Sequence, residues 1–165
     1  MSAEGSTAPI ALGAREGEAL WFLGSLVIIK SSSETTGGRV GVTENYAPRG
    51  SGSPMHVHRR EDEWFYVLDG EVTFWVGGQI IKADKGGFVF GPRDIPHTFE
   101  VTSNVARFLL VVEPAGFEGM IRDVGEPAAS LTIPLPPDVP PDPAALAAVA
   151  ANYGVEITGP AGIPA

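Results

Sequence analysis

Between residues 20 and 113 the chain never runs far without a turn signal. Segments 26–30, 40–46, 64–68, 71–76, 79–82, 88–90, 97–101 and 107–113 are short and rich in Val, Ile, Phe, Trp and Tyr. Such side chains suit a pleated, half-buried surface. Between them stand Thr36-Gly37-Gly38, Asp69-Gly70, Gly77-Gly78, Lys85-Gly86-Gly87 and Ser103-Asn104. Asp69-Gly70 is the strongest hairpin signal, because both residues tolerate the positive φ of a two-residue loop. No helix-period pattern competes here. Many short strands at close spacing predict an all-β sandwich or barrel.

The flanks read differently. Residues 1–18 are small and polar, without periodicity, and are expected to form a flexible arm. Residues 19–125 are assigned to the barrel. Within 126–165 a connector comes first, with seven prolines between positions 126 and 143. Proline cannot donate to a sheet ladder, so this stretch should run extended over the surface. A short helix follows, with Asp142 as N-cap, Pro143 at the first helical position and Gly154 just past the end. Leu146, Val149, Ala150 and Tyr153 share one face, which should dock on the barrel as a clasp or as a lid over its mouth. About 12 helical residues cannot make a core alone, so no second domain is expected.

Composition closes several routes. There is no cysteine, which excludes disulfides, thiolate metal sites, iron–sulfur clusters and cysteine nucleophiles. The net charge of −9 argues against nucleic acid and anionic membrane, since both reward clustered Lys and Arg. No apolar run approaches membrane-spanning length, and the N-terminal residues lack a signal-peptide core. The expectation is a soluble, cytoplasmic protein.

The chain has three histidines. His56 and His58 are alternate residues on a strand, so both point to one face. Glu63 follows a charged turn, Arg59-Arg60-Glu61-Asp62, where strand phase can reset. His97 lies on a later strand after Gly91-Pro92-Arg93-Asp94. Three imidazoles and a carboxylate on one point would form a nitrogen/oxygen site for one divalent transition-metal ion: Fe, Ni, Mn, Co, Cu or Zn. Counting alternately from Glu63 puts Phe65 and Val67 inside the barrel, and counting from His97 puts Phe99 there. Met55 and Tyr46 complete the expected substrate pocket.

The stretch from Gly50 to Gly70 reads G-x5-H-x-H-x4-E-x6-G, and Gly86 to His97 reads G-x5-P-x-D-x-x-H. These resemble the two motifs of the cupin superfamily. The first matches at every fixed position. The second departs twice, with Asp94 where Gly is usual and Val101 where Asn often follows; neither removes a ligand. The resemblance implies a jelly-roll (double-stranded β-helix) barrel with a metal ion inside its mouth, held by His56, His58, Glu63 and His97. It also implies a homodimer.

The layout further resembles small bacterial single-domain cupins related to quercetin 2,3-dioxygenase. The matching features are H-V-H-R-R-E-D-E-W-F-Y-V-L-D-G, G-P-R-D-I-P-H-T-F, the proline-rich connector and the tail Y-G-V-E-I-T-G-P. That implies a small-molecule aromatic substrate, a flavonol or another enolisable hydroxy-ketone, and dioxygen as partners. The reaction would be oxygenolytic ring cleavage, with Glu63 the catalytic residue, either as a permanent ligand or as a base that swings off to accept the substrate's proton. Two other classes are open: a metal-assisted isomerase or cyclase acting on a polyketide-type substrate without oxygen, and a non-catalytic small-molecule-binding cupin.

Overall fold

β-Branched and aromatic segments dominate the pairing seen in a computed structural model that describes residues 7–165; positions 1–6 of the expected N-terminal arm lie outside the described residues. The strands are β1 Glu18–Phe22, β2 Ser25–Ser31, β3 Gly41–Pro48, β4 Pro54–His58, β5 Asp62–Asp69, β6 Glu71–Val76, β7 Gln79–Asp84, β8 Phe88–Gly91, β9 His97–Val101, β10 Val105–Glu113, β11 Glu126–Pro127 and β12 Val155–Ala161. Helices α1 Ser33–Thr36, α2 Phe117–Val124 and α3 Pro143–Asn152 complete the set. A seven-stranded sheet runs in the order β11-β1-β2-β3-β10-β5-β8, and a five-stranded sheet in the order β12-β4-β9-β6-β7. All pairings are antiparallel. Two such sheets face to face are the jelly-roll barrel.

The core lies between the sheets. Phe65, Val67 and Phe108 from one sheet meet Val72, Phe74 and Val101 from the other, all buried. Phe65 and Phe74 pack with ring centroids 4.8 Å apart, close enough to add to plain area burial.

The turn residues correct one expectation. Asp69-Gly70 does not close a hairpin: it carries the chain from β5 in one sheet to β6 in the other. Gly70 has φ 79°, and a Cβ there would collide with the Val105 carbonyl, so the residue is required by a sheet-crossing corner. The two-residue hairpin is Gly77-Gly78, with φ 54° and 92°, joining β6 to β7 so that Val76 pairs with Gln79. Both positive φ values are those of a type I′ turn, whose twist suits flanking strands.

The sequence pattern also missed α1, a helical turn inside the strand-rich stretch, and α2. Helix α3 begins where its capping signals put it, with the Asp142 carboxylate accepting from the Ala144 N–H at 3.0 Å. Its Leu146, Val149, Ala150 and Tyr153 pack with Met120 of α2 and Val155 of β12. The tail therefore returns to the barrel twice, as a helix on α2 and as a strand, β12, paired with β4. Among the described residues, no helix is long and apolar enough to cross a membrane.

Candidate metal centre and cavity

Strand β4 carries His56 and His58 on one face, and its only ladder partner on β9 pairs His56 with His97. Three imidazoles thus come from the five-stranded sheet. Glu63 stands at the start of β5 in the other sheet, opposite Gly91. The site spans the gap between the sheets at one end of the barrel. One ligand atom from each of His56, His58, Glu63 and His97 falls within 4.8 Å of every other. Glu63 Oε2 lies 2.6 Å from His97 Nε2, and its Oε1 lies 3.3 Å from His58 Nε2.

Each imidazole is held from behind. His56 Nδ1 lies 2.8 Å from the Pro54 carbonyl, and His97 Nδ1 lies 3.0 Å from the Ile95 carbonyl. His58 Nδ1 lies 3.4 Å from Glu61 Oε2. A carbonyl or carboxylate accepts, so each Nδ1 is the protonated nitrogen and each Nε2 presents a lone pair to the centre. His58 Nε2 is buried and has no hydrogen-bond partner. Lone pairs facing a carboxylate repel unless a cation or proton sits between them. The orphaned Nε2 and the nitrogen/oxygen donor set fit a first-row divalent ion, which all four residues could hold.

The charges point the same way. Burial pushes the Glu63 carboxyl up, but the surrounding imidazoles of His58, His97 and His56 outweigh it and hold the pKa down at about 2. Burial, with His97 close by, outweighs the opposing pull of Glu63 and takes His56 down to about 3, leaving it neutral and able to ligate. For His58 burial acts downward, but Glu63 and Glu61 together raise it. A carboxylate held this far down is a ligand and acceptor, and a weak base.

His56 and Glu63 open onto a largely apolar cavity between the two sheets. Phe65, Phe99, Phe108 and Leu110 line its barrel wall; Phe117, Met120 and Leu146 of α2 and α3 close one side. Asn45, Ser25, Ser51 and Ser53 add polar groups to its lining.

Residues 42–112 match the family described as Cupin domain. They form a cupin domain. Over 129 residues the chain is 30% identical to quercetin 2,3-dioxygenase of Bacillus subtilis, which covers 78% of this chain and 38% of that enzyme. A RmlC-like cupin from Shewanella frigidimarina superposes with a TM-score of 0.57 at 16% identity, covering 68% of this chain and 96% of that one. A predicted oxalate decarboxylase from Thermotoga maritima gives 0.56 at 23% identity, covering 64% and 99%. Both likenesses concern the fold.

Within the cupin domain, the expected metal quartet is brought together. Of the expected pocket residues, Phe65 and Phe99 line the cavity. Val67 points the same way but lies deeper, fully buried in the core. Tyr46 does not reach the cavity. It occupies the opposite face of β3, where its hydroxyl donates to Glu44 at 2.7 Å and its ring stacks under Arg107. Met55 alternates with His56 and packs away from the centre, near Gly159 of β12. Asp94, standing where the cupin pattern usually has Gly, has φ 65°, as a left-handed turn requires. Arg93 pairs with Asp62 at 3.0 Å, and Arg59 with Asp94 and Glu156 at 2.9 and 2.8 Å. These arginines tie loops together and are not free to clamp a substrate.

Sequence reasoning missed Asn45, Phe108, Leu110 and the α2 residues. Pairing signals exist for the first three: Asn45 lies opposite Phe108 on β10, which lies opposite Val67. Knowing that register would have placed them. Nothing in the sequence marks α2 as a cavity wall.

Proposed function

We propose that this protein is a metal-dependent dioxygenase that cleaves the ring of a flavonol or a related enolisable aromatic substrate. The observation that carries this reading is the position of His56 and Glu63, which present a nitrogen/oxygen metal site to a cavity walled by Phe65, Phe99 and Phe108. The relation to quercetin 2,3-dioxygenase supports it. Bound by the quartet, a divalent transition-metal ion supplies Lewis acidity and open coordination positions for substrate and dioxygen. The phenylalanines hold a flat ring and exclude water. Glu63 accepts a hydrogen bond from the substrate's acidic hydroxyl and aims it at the centre. The outward aromatics Trp64, Tyr66, Phe88 and Phe90, beside the free edge of β8, support a homodimer.

Elemental analysis paired with an oxygen-electrode assay against a flavonol panel tests the reading. About one Fe, Mn, Co, Ni or Cu per chain with flavonol-dependent oxygen uptake is expected. A metal-loaded protein that consumes no oxygen with any flavonol would reject the dioxygenase assignment.

A further inference from the structure

The cavity has two polar ends. One is the metal centre. The other is built on β2, β3 and the loop before β4, from Asn45, Ser25 and Ser51. In register, Glu63 is level with Gly41 through Val112, and Val67 is level with Asn45 through Phe108. Four residues at about 3.3 Å each put these levels on the order of 13 Å apart along the strands.

Asn45 is 7% exposed. Its Nδ2 donates to Thr43 Oγ1 at 3.0 Å and more weakly to the Thr43 carbonyl at 3.4 Å. A backbone carbonyl only accepts, so the amide orientation is fixed with nitrogen toward Thr43. Among the described residues, no donor reaches Asn45 Oδ1, which is left at the cavity wall as an acceptor. Beside it, the Ser25 and Ser51 hydroxyls lie 3.0 Å apart and share one hydrogen bond. The surrounding wall is Val27, Phe99 and Phe108. An acceptor open to the cavity on an otherwise apolar wall favours a ligand that brings a donor to it over one that does not.

We propose that Asn45, oriented by Thr43, is a specificity residue that accepts a hydrogen bond from a phenolic hydroxyl at the end of an aromatic ligand remote from the metal. This rests on the reading of the cavity as an aromatic substrate site. It adds a preference for ligands bearing a donor at the far end, which metal chelation alone would not produce.

Binding of 2-naphthol and its methyl isostere, 2-methylnaphthalene, to the full-length metal-loaded protein tests it without requiring turnover. In Asn45→Leu the affinity ratio of naphthol to methylnaphthalene should fall about tenfold, with metal content unchanged. Thr43→Val keeps the acceptor but frees the amide to turn. It should erase discrimination between 2-naphthol and 2-methoxynaphthalene, which cannot donate, and it serves if Asn45→Leu does not fold. A ratio unchanged in both variants would overturn the inference. So would a wild-type protein that binds neither naphthol nor methylnaphthalene. Absence of oxygen uptake with flavonols, alongside an Asn45-dependent naphthol preference, would remove the dioxygenase reading and leave this one standing.

Discussion

Glu63 and His97 meet across the gap between the two sheets, with Oε2 2.6 Å from Nε2. One strand of each sheet is thereby tied at the barrel mouth, so the candidate metal centre is also a joint between the sheets. Metal binding to the folded state alone stabilises it by mass action, by about 2.7 kcal/mol at a free-ion concentration 100-fold above Kd. Added Fe, Mn, Co or Ni should raise the thermal midpoint, and a chelator should lower it. His97→Ala should fold but show neither shift. A metal-dependent midpoint that persisted in His97→Ala would remove His97 from the ligand set.

Glu61 supports only one of the three imidazoles. It is 2% exposed and lies 3.4 Å from His58 Nδ1, whereas His56 and His97 lean on backbone carbonyls. A carboxylate behind an imidazole orients the ring and raises its basicity as a ligand, and losing such a partner typically costs 10- to 100-fold in metal affinity, so about that loss is expected in Glu61→Ala. Glu61→Gln keeps an acceptor and should lose less. Competition against a chelator reads both, and equal affinity in wild type and Glu61→Ala would show that His58 needs no such support.

The metal quartet and most strands were legible because each rests on local chemistry. The alternation of His56 and His58 fixes their common face, and Asp142-Pro143 states a helix start in two residues. What failed depended on distant partners. Asp69-Gly70 has the right residues for a hairpin, yet its strands belong to different sheets, and only the close approach of the Val105 carbonyl reveals the corner. Tyr46 is apolar enough to suggest the interior, but on β3 the polar Thr43 and Asn45 face inward. Tyr46 instead covers Glu44, which is paired with Lys30 and Arg107. Strand β12 was not anticipated at all; it carries Gly159-Pro160 within a register shift between Ile157 and Ala161.

That outer-face cluster sets an acid limit on stability. Glu44 is 3% exposed, with Lys30 and Arg107 nitrogens at 3.3 and 2.6 Å. Burial pushes its carboxyl up, but hydrogen bonds from Tyr46, Arg107 and Lys30, with the charge of Arg107, hold it below the usual carboxylate range. A folded-state pKa below the unfolded value of about 4.3 gives stability that is present above that pH and lost as pH falls through the folded pKa. Glu44→Gln should therefore be less stable than wild type at pH 7, with the gap closing below about pH 4. Urea midpoints across this range check it. A gap that did not change with pH would mean that packing, and not charge, holds Glu44.

Helix α3 holds the cavity wall through one small residue. Ala150 is fully buried against Met120 and Val155, one turn from Leu146, which lines the cavity. Extra methyl groups in a close-packed contact force the backbone apart, at about 1–3 kcal/mol. Ala150→Leu should cost about that much in urea unfolding and weaken aromatic-ligand binding, because lifting α3 draws Leu146 out of the wall. Ala148→Leu, on the exposed side of the same helix, should change stability by less than about 0.5 kcal/mol and leave ligand affinity as it is. If Ala150→Leu lost stability but kept full affinity, α3 would be a clasp that fixes the tail without shaping the cavity. Loss of affinity beyond the loss expected from unfolding would identify it as part of the lid.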